Sequence, residues 1–529
     1  MNQQKNKAFI YGLIALSVLC FAAVCAFGYV IFNRIRRGSE NQRPTVELVT
    51  LSEPAPQPET EAEAVPAIET ETNAGVEAPP LEADDAARLP TREPTDDAGK
   101  AAGLAGIEAA ETSGTGDEDG DTTKSSETNA PTGEELSEAQ QKVISKVEEI
   151  RGLTAAEPLT VVFKSREELH EDIVRNFKSA LTDQDFQDER ELLTLLGFIH
   201  ADFDVEGLYE ALYTEQIAGY YDHDQNVMML IKEADPSETL RTLAHEYTHF
   251  LQFSSFPTLR QYYDAEFCDV HGDDCIVARS IIEGDAVLTE SLAVQDPLVM
   301  RLLNKNRATG NNDNSTFRNA PPYYQESVLI EYVYGFPFVY TYFLNDGFES
   351  INDLLSAPPA SVEQLIHPEK YGTDEPARVS IGLFDKVFAD AGCEFVRSSV
   401  FNELDTRWML TLGIEPDWRI NERSAARAAE GWSGGTFSFG RCDGKAYVFS
   451  ETQWDTRRDS DEFSDGMEMY FDARFGAAES AGSWLGDGQK IRLLEADNSV
   501  FFMIVPEEFE LTKIEGIIEK IEYSEEVAL

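Results

Sequence analysis

Two histidines and a glutamate within one short segment have the types and spacing of a metal centre. The segment LAHEYTHFLQ places His245 and His249 four residues apart, with Glu246 directly after the first histidine. Side chains four apart on a helix project from the same face, so both imidazoles can reach one metal ion. The carboxylate of Glu246 can take a proton from a water molecule that the metal polarises. The pattern predicts His245 and His249 as Zn²⁺ ligands and Glu246 as a general base.

A catalytic zinc ion generally has three protein ligands and keeps one position open for water or substrate. The segment IIEGDAVLTESLAV places Glu283 at the start of a helical pattern, beside Gly284, whose missing side chain permits close packing against the metal-binding helix. We predict Glu283 as the third ligand. Two alternatives stay open, namely Glu266 in a predicted loop (DAEFCD) and His271 in the sequence HGDD between two cysteines.

The metal-binding helix has strong start signals. Asp235 is a typical N-cap, Pro236 suits the first helical position, and Glu238 follows three residues after the cap. Apolar residues from Leu240 to Leu251 then recur at helical spacing, which predicts a helix to about residue 253 with one buried stripe.

Other segments predict the elements around this helix. AGYYDHDQNVMMLI indicates a hairpin with its turn at residues 222–226 and its second arm at Val227 to Ile231, and PLTVVF indicates a strand before it. Later helices are predicted at Val277 to Val294, at Gln325 to Phe343 with an interruption at Pro337, and at Ser361 to Leu365. Beyond about residue 390, strand-like runs such as KAYVFSET and VFFMIVP surround a predicted helix at Asp459 to Phe475. The expected fold class is α+β.

The motifs also resemble a known family. LAHEYTHFLQ followed by IIEGDA is similar to the gluzincin superfamily of zinc peptidases, in particular to bacterial peptidase-MA-like proteins, and EIRGL, YTEQIAGYYD, YGFPFVYTYF and EQLIHPEKY extend the resemblance over most of the globular part. It implies a zincin-like fold, His245, His249 and Glu283 as zinc ligands, and Glu246 as general base. It further implies that Val227 to Ile231 is a sheet edge on which an extended substrate aligns.

Several supporting groups have two interpretations. Asp285 either bonds a histidine N–H or is a solvated residue at a helix start, since the position four after Glu283 is not acidic. Tyr332 and Tyr334 are candidates for stabilising an oxyanion, although an aromatic stretch at helical spacing is more often core. The other histidines are expected at structural or surface positions: His170, His200, His223 and His367.

The N-terminal part has a separate organisation. Residues Ala8 to Phe32 form a run of 25 residues without a charge, which predicts a transmembrane helix and thus contact with a lipid bilayer. Residues 38–140 are rich in Glu, Ala, Pro, Thr and Asp with almost no aromatics, which predicts a disordered acidic linker. With 97 acidic against 43 basic residues and a formal charge of −54, binding to nucleic acid is not expected.

Cysteines decide the predicted side of the membrane, because Lys and Arg residues flank the span on both sides. Four cysteines in the globular part, 268, 275, 393 and 442, form an even set that suits two disulfides and an oxidising, extracytoplasmic compartment. Four free buried thiols in a cytoplasmic domain are the alternative.

The sequence thus predicts a membrane-anchored zinc peptidase with four regions: a transmembrane helix at 8–32, a linker at 38–140, a zincin-like metallopeptidase domain at 141–390, and a smaller C-terminal α+β region at 391–529. The expected substrate is a peptide or protein. Two alternatives are a non-catalytic binding module on a peptidase-like fold and a zinc hydrolase of another amide or an ester.

Overall fold

The computed structural model describes residues 135–155, 157–216, 218–232, 234, 236–296 and 315–526. The predicted transmembrane helix at 8–32, nearly all of the predicted linker and the predicted N-cap Asp235 lie outside these residues. Within the described ranges, no helix combines the length and the apolar character that a membrane span requires.

Helices dominate the first part of the described chain, up to residue 390. They are α1 (Glu138–Arg151), α2 (Arg166–Ala180), α3 (Asp183–Leu195), α4 (Val205–Gln216), α5 (Pro236–Ser255), α6 (Ala265–Val270), α7 (Gly272–Gln295), α8 (Ser315–Asn319), α9 (Pro322–Ser327), α10 (Ile330–Val333), α11 (Gly335–Asp346), α12 (Phe348–Ser356), α13 (Val362–Ile366) and α14 (Gly382–Asp390). Two short 3₁₀ segments lie among them, Pro257–Tyr263 and Pro368–Lys370.

A small sheet lies in the chain before helix α5. Its strands are β1 (Thr160–Lys164), β2 (Gly219–Asp222) and β3 (Val227–Ile231), in the order β1-β3-β2. The predicted hairpin is confirmed, since β2 and β3 pair antiparallel across a turn in which Asn226 has a φ of 55°. The prediction that β3 is the sheet edge is wrong. β3 also pairs in parallel with β1 and all five of its residues are buried, so the edge beside α5 is β2.

The second part of the described chain is a larger antiparallel sheet with helices. Its strands are β4 (Glu394–Val400), β5 (Trp432–Cys442), β6 (Lys445–Trp454), β7 (Ser483–Gly486), β8 (Gln489–Ala496) and β9 (Ser499–Pro506), in the order β4-β5-β6-β9-β8-β7. The accompanying helices are α15 (Glu403–Thr411), α16 (Glu422–Ala429), α17 (Arg457–Phe475) and α18 (Thr512–Glu526). Helices and sheets in separate runs make the fold α+β, as predicted.

Helix α7 is longer than expected. It begins at Gly272 rather than near Val277, so Glu283 lies in the middle of the helix and not at its start. We predicted that the missing side chain of Gly284 allows close packing against α5, but the space beside Gly284 is occupied by α11. A Cβ on Gly284 would lie 2.5 Å from the carbonyl oxygen of Gly335, so the missing side chain lets α7 approach the first turn of α11. The predicted Gln325 to Phe343 helix is three helices, and Pro337 lies in the first turn of α11, where proline is tolerated.

One hydrophobic core runs through both parts. The larger buried cluster contains Leu243 and Ile281 from α5 and α7 together with Phe463 and Phe502 from the region after residue 390. The two predicted domains therefore share buried surface, and their boundary stays a prediction. Two disulfides join Cys268 to Cys275 and Cys393 to Cys442.

Candidate metal centre

The predicted ligands converge on one buried point. His245, His249 and Glu283 each present a ligand atom, and these three atoms lie within 4.8 Å of one another. Nε2 of His245 is 3.2 Å from one carboxylate oxygen of Glu283, and Nε2 of His249 is 3.5 Å from the other. Helix α5 supplies the two histidines and α7 supplies the carboxylate. The carboxylate thus faces both imidazole nitrogens, as the side chains of a three-ligand centre must.

An oxygen acceptor lies on the side of each opposite ring nitrogen. Nδ1 of His249 lies 2.9 Å from Oε1 of Gln252, and Nδ1 of His245 lies 3.7 Å from Oε2 of Glu290. An acceptor at Nδ1, such as Gln252 provides for His249, suits a histidine that ligates a metal through Nε2. Glu290 follows Glu283 by seven residues on α7, and so lies two turns further along the same face.

A buried chain of contacts extends from His249 to the first helix. The amide nitrogen of Gln252 donates to Asp285 over 2.8 Å and to the carbonyl oxygen of Ile282 over 2.9 Å. Asp285 in turn lies 3.0 Å from Nε of Arg151, and both side chains are fully buried. Asp285 therefore does not bond a histidine directly, and it is not a solvated helix-start residue. It orients Gln252, which holds the imidazole.

Arg151 is secured in its place by further partners. Its guanidinium donates to Oδ1 of Asn352 over 3.0 Å and lies 4.5 Å above the ring of Phe348. These contacts join α1 and α12 to the residues behind α5. Burial of a charged group is stabilised only when it is paired and hydrogen-bonded, and both conditions hold here.

Glu246 lies beside the three ligands and is held by the sheet edge. Its Oε2 accepts the backbone N–H of Tyr221 in β2 over 2.9 Å, and only 4% of the residue is exposed. Burial raises the pKa of Glu246, while the two histidines oppose that shift. A glutamate held next to the ligands with a raised pKa has the geometry and proton affinity of a general base.

The electrostatics of the three ligands favour a cation between them. Burial lowers the pKa of His245, but hydrogen bonding to Glu283 and Glu290 outweighs it and raises the pKa to about 10. Burial raises the pKa of Glu283, but the charge of His249 and hydrogen bonds from both histidines bring it down to about 2. The site thus holds a proton strongly when no metal competes. A metal ion must displace that proton, which makes its binding pH-dependent.

Among the described side chains, His271 does not belong to this group. His271 lies between α6 and α7, is exposed, and has its Nδ1 2.9 Å from Asp274. Glu266 lies in helix α6 and not in a loop as predicted, while its side chain falls outside the described residues. Glu283 is the carboxylate that meets the two histidines.

The charges of the candidate site act on a tyrosine that we did not predict. Burial raises the pKa of Tyr263 well above its usual range, and the charges of Glu283, Glu331 and Glu246 add to the effect. The groups acting on Tyr334 are different, namely Arg407 and Glu326. Tyr332 is a buried core residue, as the alternative interpretation held. Tyr263 ends the 3₁₀ segment after α5.

His223 is not an ordinary surface residue. Its ring stacks on Phe253 at 4.7 Å and meets Tyr263 edge-on at 5.0 Å, and burial lowers its pKa. His200 is exposed beside Glu415, and His367 bonds Glu403 over 2.9 Å, as expected for surface and structural positions. The sequence contained one signal for this position of His223, namely that it begins the predicted hairpin turn directly after β2.

Comparison with known proteins identifies one segment. Residues 394–515 match the model of a family described as a domain of unknown function, DUF8575. The match begins at β4 and covers the larger sheet and α17. No curated protein and no solved structure matches the chain.

Proposed function

We propose that this chain is a membrane-anchored, zinc-dependent peptidase of the gluzincin type with a zincin-like catalytic region. The observation that carries the proposal is the buried convergence of His245, His249 and Glu283 from two helices, with Glu246 beside them. The resemblance of HEYTH and EGDA to peptidase-MA-like proteins points to the same reaction class.

The donor set fits zinc. Two imidazole nitrogens and one carboxylate oxygen suit Zn²⁺, whereas Ca²⁺ and Mg²⁺ prefer shells of oxygen alone. Gln252 accepts from Nδ1 of His249 and so leaves Nε2 for a metal once the proton of the site is displaced. Bound zinc would polarise the scissile carbonyl and lower the pKa of the attacking water.

The chain's own residues supply the remaining steps. Glu246 accepts the proton of the attacking water and then passes it to the leaving amine. The N–H of Tyr221 fixes the orientation of that carboxylate. Tyr263 is the proposed donor to the oxyanion that develops on the carbonyl, since its phenol lies in the field of Glu283 and Glu246 and burial keeps it protonated.

The sheet edge supports an extended substrate. β2 pairs on one side with β3, and the N–H of Tyr221 points away from β3 to Glu246. A peptide lying along β2 would therefore pass directly over the general base. Backbone pairing of this kind selects an extended main chain, which a peptide has and a small ester lacks.

The proposed location is the outer face of the cytoplasmic membrane. The run Ala8 to Phe32 supports an anchor, and the acidic segment after it supports a tether that holds the catalytic region away from the bilayer. Two disulfides support an oxidising compartment.

The catalytic proposal is tested with metal analysis and a broad peptide library on the purified chain. We expect one bound zinc and cleavage of peptides. Glu246→Gln should retain zinc but lose turnover, and His249→Ala should lose both. A chain that binds zinc but cleaves neither peptides nor other amides and esters would be a binding module. Cleavage of esters alone would identify a different zinc hydrolase.

The location is tested separately with protease added to intact cells. Digestion of the globular region, together with recovery of both disulfides by non-reducing peptide mapping, is the expected result. Full protection and four alkylatable thiols would place the chain in the cytoplasm and leave the metal-site argument unaffected.

A further inference from the structure

Arg279 is a buried arginine that joins three segments around the candidate metal centre. It lies on α7, one helical turn before Glu283, and only 3% of the residue is exposed. Its Nε donates to Glu331 in α10 over 2.7 Å, and its Nη1 donates to the carbonyl oxygen of Tyr262 over 3.2 Å. The guanidinium thus connects α7, α10 and the 3₁₀ segment Pro257–Tyr263.

The ion pair with Glu331 fixes the direction of this guanidinium. Glu331 is only 4% exposed, so removal of either partner would leave a buried charge without compensation. A guanidinium presents its donors in one rigid plane, so the bond at Nε also sets the direction of the Nη1 hydrogens. Arg279 is therefore held in the orientation in which it bonds Tyr262.

A disulfide contacts the same carbonyl group. Cys268 in α6 is bonded to Cys275 in α7, and its Sγ lies 3.3 Å from the carbonyl oxygen of Tyr262. That oxygen therefore lies against both the guanidinium and the disulfide. The end of the 3₁₀ segment is thus fixed to α7, the helix that carries Glu283.

The residue after this anchored carbonyl is Tyr263. Its ring centroid lies 5.5 Å from that of Phe253 and 5.0 Å from that of His223. Phe253 follows His249 by four residues on α5 and so lies on the same face of the helix. His223 directly follows β2, the strand whose backbone bonds Glu246. The ring of Tyr263 is thus packed against the neighbours of a predicted ligand and of the proposed general base.

We propose that Arg279 is a positioning residue for the reaction, which acts through the carbonyl group of Tyr262 to hold the phenol of Tyr263 where it can donate to the oxyanion. The inference rests on the proposed function and adds a residue that touches neither metal nor substrate. The peptide unit that joins Tyr262 to Tyr263 is planar, so fixing its oxygen also fixes the start of the Tyr263 backbone. A displacement of about 1 Å near the reacting atoms can cost about 100-fold in rate, so loosening of this carbonyl should be measurable.

A double-mutant cycle tests the coupling between Arg279 and Tyr263. Arg279→Lys keeps a positive charge beside Glu331 but replaces the planar fork by a single ammonium group, which cannot keep both bonds in their present geometry. We expect kcat of the purified chain on its best library peptide to fall about tenfold, with KM and zinc content nearly unchanged. In the Tyr263→Phe background, the same substitution should change kcat by less than about twofold. A merely structural role would lower kcat by the same factor in both backgrounds.

Hydrogen exchange of the metal-free chain supplies a readout that needs no activity. The backbone amides of residues 257–264 should exchange at least about threefold faster in Arg279→Lys than in the unchanged chain. Arg474→Lys is the matched control, because Arg474 also donates to backbone carbonyl oxygens, those of Leu195 and Thr194, over 2.7 and 3.0 Å. None of its described hydrogen bonds reaches the candidate metal centre. The control should leave both kcat and the exchange of residues 257–264 unchanged.

The failure of this inference is distinguishable from failure of the proposed function. Equal loss of kcat from Arg279→Lys with and without the Tyr263 phenol, or unchanged exchange at residues 257–264, would overturn this inference alone. Absence of any cleavage by the unchanged chain would overturn the proposed function and this inference with it. If Arg279→Lys does not fold, Glu331→Gln takes its place, since glutamine still accepts from Nε but does not pair the charge. It should likewise lower kcat only where the Tyr263 phenol is present.

Discussion

Replacing Gln252 with leucine tests whether the residues behind the metal centre control metal affinity. Gln252 is fully buried, accepts from Nδ1 of His249, and donates to Asp285 and to the carbonyl oxygen of Ile282. Leucine has a similar volume but offers none of these bonds. The imidazole of His249 would then lose the acceptor that sets its tautomer and orientation.

The size of the effect follows from these contacts. Loss of a group that orients a metal-binding histidine typically reduces metal affinity about 10- to 100-fold, or about 1.4 to 2.7 kcal/mol. Two buried oxygens, one on Ile282 and one on Asp285, would also lose a donor. Each such loss costs about 1 to 3 kcal/mol, so the metal-free protein should unfold at lower denaturant concentration.

Zinc affinity is measured by competition with a chelating fluorophore, and stability by urea unfolding of the metal-free chain. Thr289→Val is the matched control, because Thr289 donates to the same Asp285 over 3.3 Å, whereas the described hydrogen bonds of the two histidines go to Glu283 and Gln252. It should lower stability modestly and leave zinc affinity nearly unchanged. Equal zinc affinity in Gln252→Leu and the unchanged chain would refute the reasoning, as would equal weakening in both variants.

Three further predictions address the third ligand, a buried acid and a disulfide. Glu283→Ala should be zinc-poor and Glu266→Ala zinc-replete by metal analysis, and the opposite pattern would transfer the ligand role to Glu266. Burial raises the pKa of Asp273 from 3.8 to about 7, so the protonated carboxyl favours the folded state and its contribution is lost as pH rises from about 4 to about 7. In that range, the unfolding free energy of the unchanged chain should therefore fall more steeply with rising pH than that of Asp273→Asn. The difference between the two slopes should be up to about 1.4 kcal/mol per pH unit, and parallel pH profiles would contradict this. Replacing Cys393 and Cys442 with serine should cost about 2 to 4 kcal/mol in urea unfolding, and an unchanged midpoint would show that the bond does not constrain the chain.

Local spacing alone was sufficient to predict part of the site. His245, Glu246 and His249 share one helical segment, and a helix places residues four apart on one face whatever surrounds it. The hairpin of β2 and β3 was equally predictable, because its turn residues and flanking runs are adjacent in sequence. These features depend on contacts between near neighbours in the chain.

Other features depend on packing between distant segments, and the sequence could not decide them. Arg151 bonds Asp285, which lies 134 positions later in the chain. The strand order β1-β3-β2 places β3 inside the sheet, whereas the sequence suggested only its hairpin partner β2 as a neighbour. Gly284 approaches Gly335 rather than α5. Glu290 was not predicted, because its role depends on how α7 crosses α5 and not on its distance from Glu283 alone. The sequence by itself determined which groups lie on one face of α5. Only the tertiary structure decided which side chains hold those groups in place, since that depends on the relative positions of whole helices.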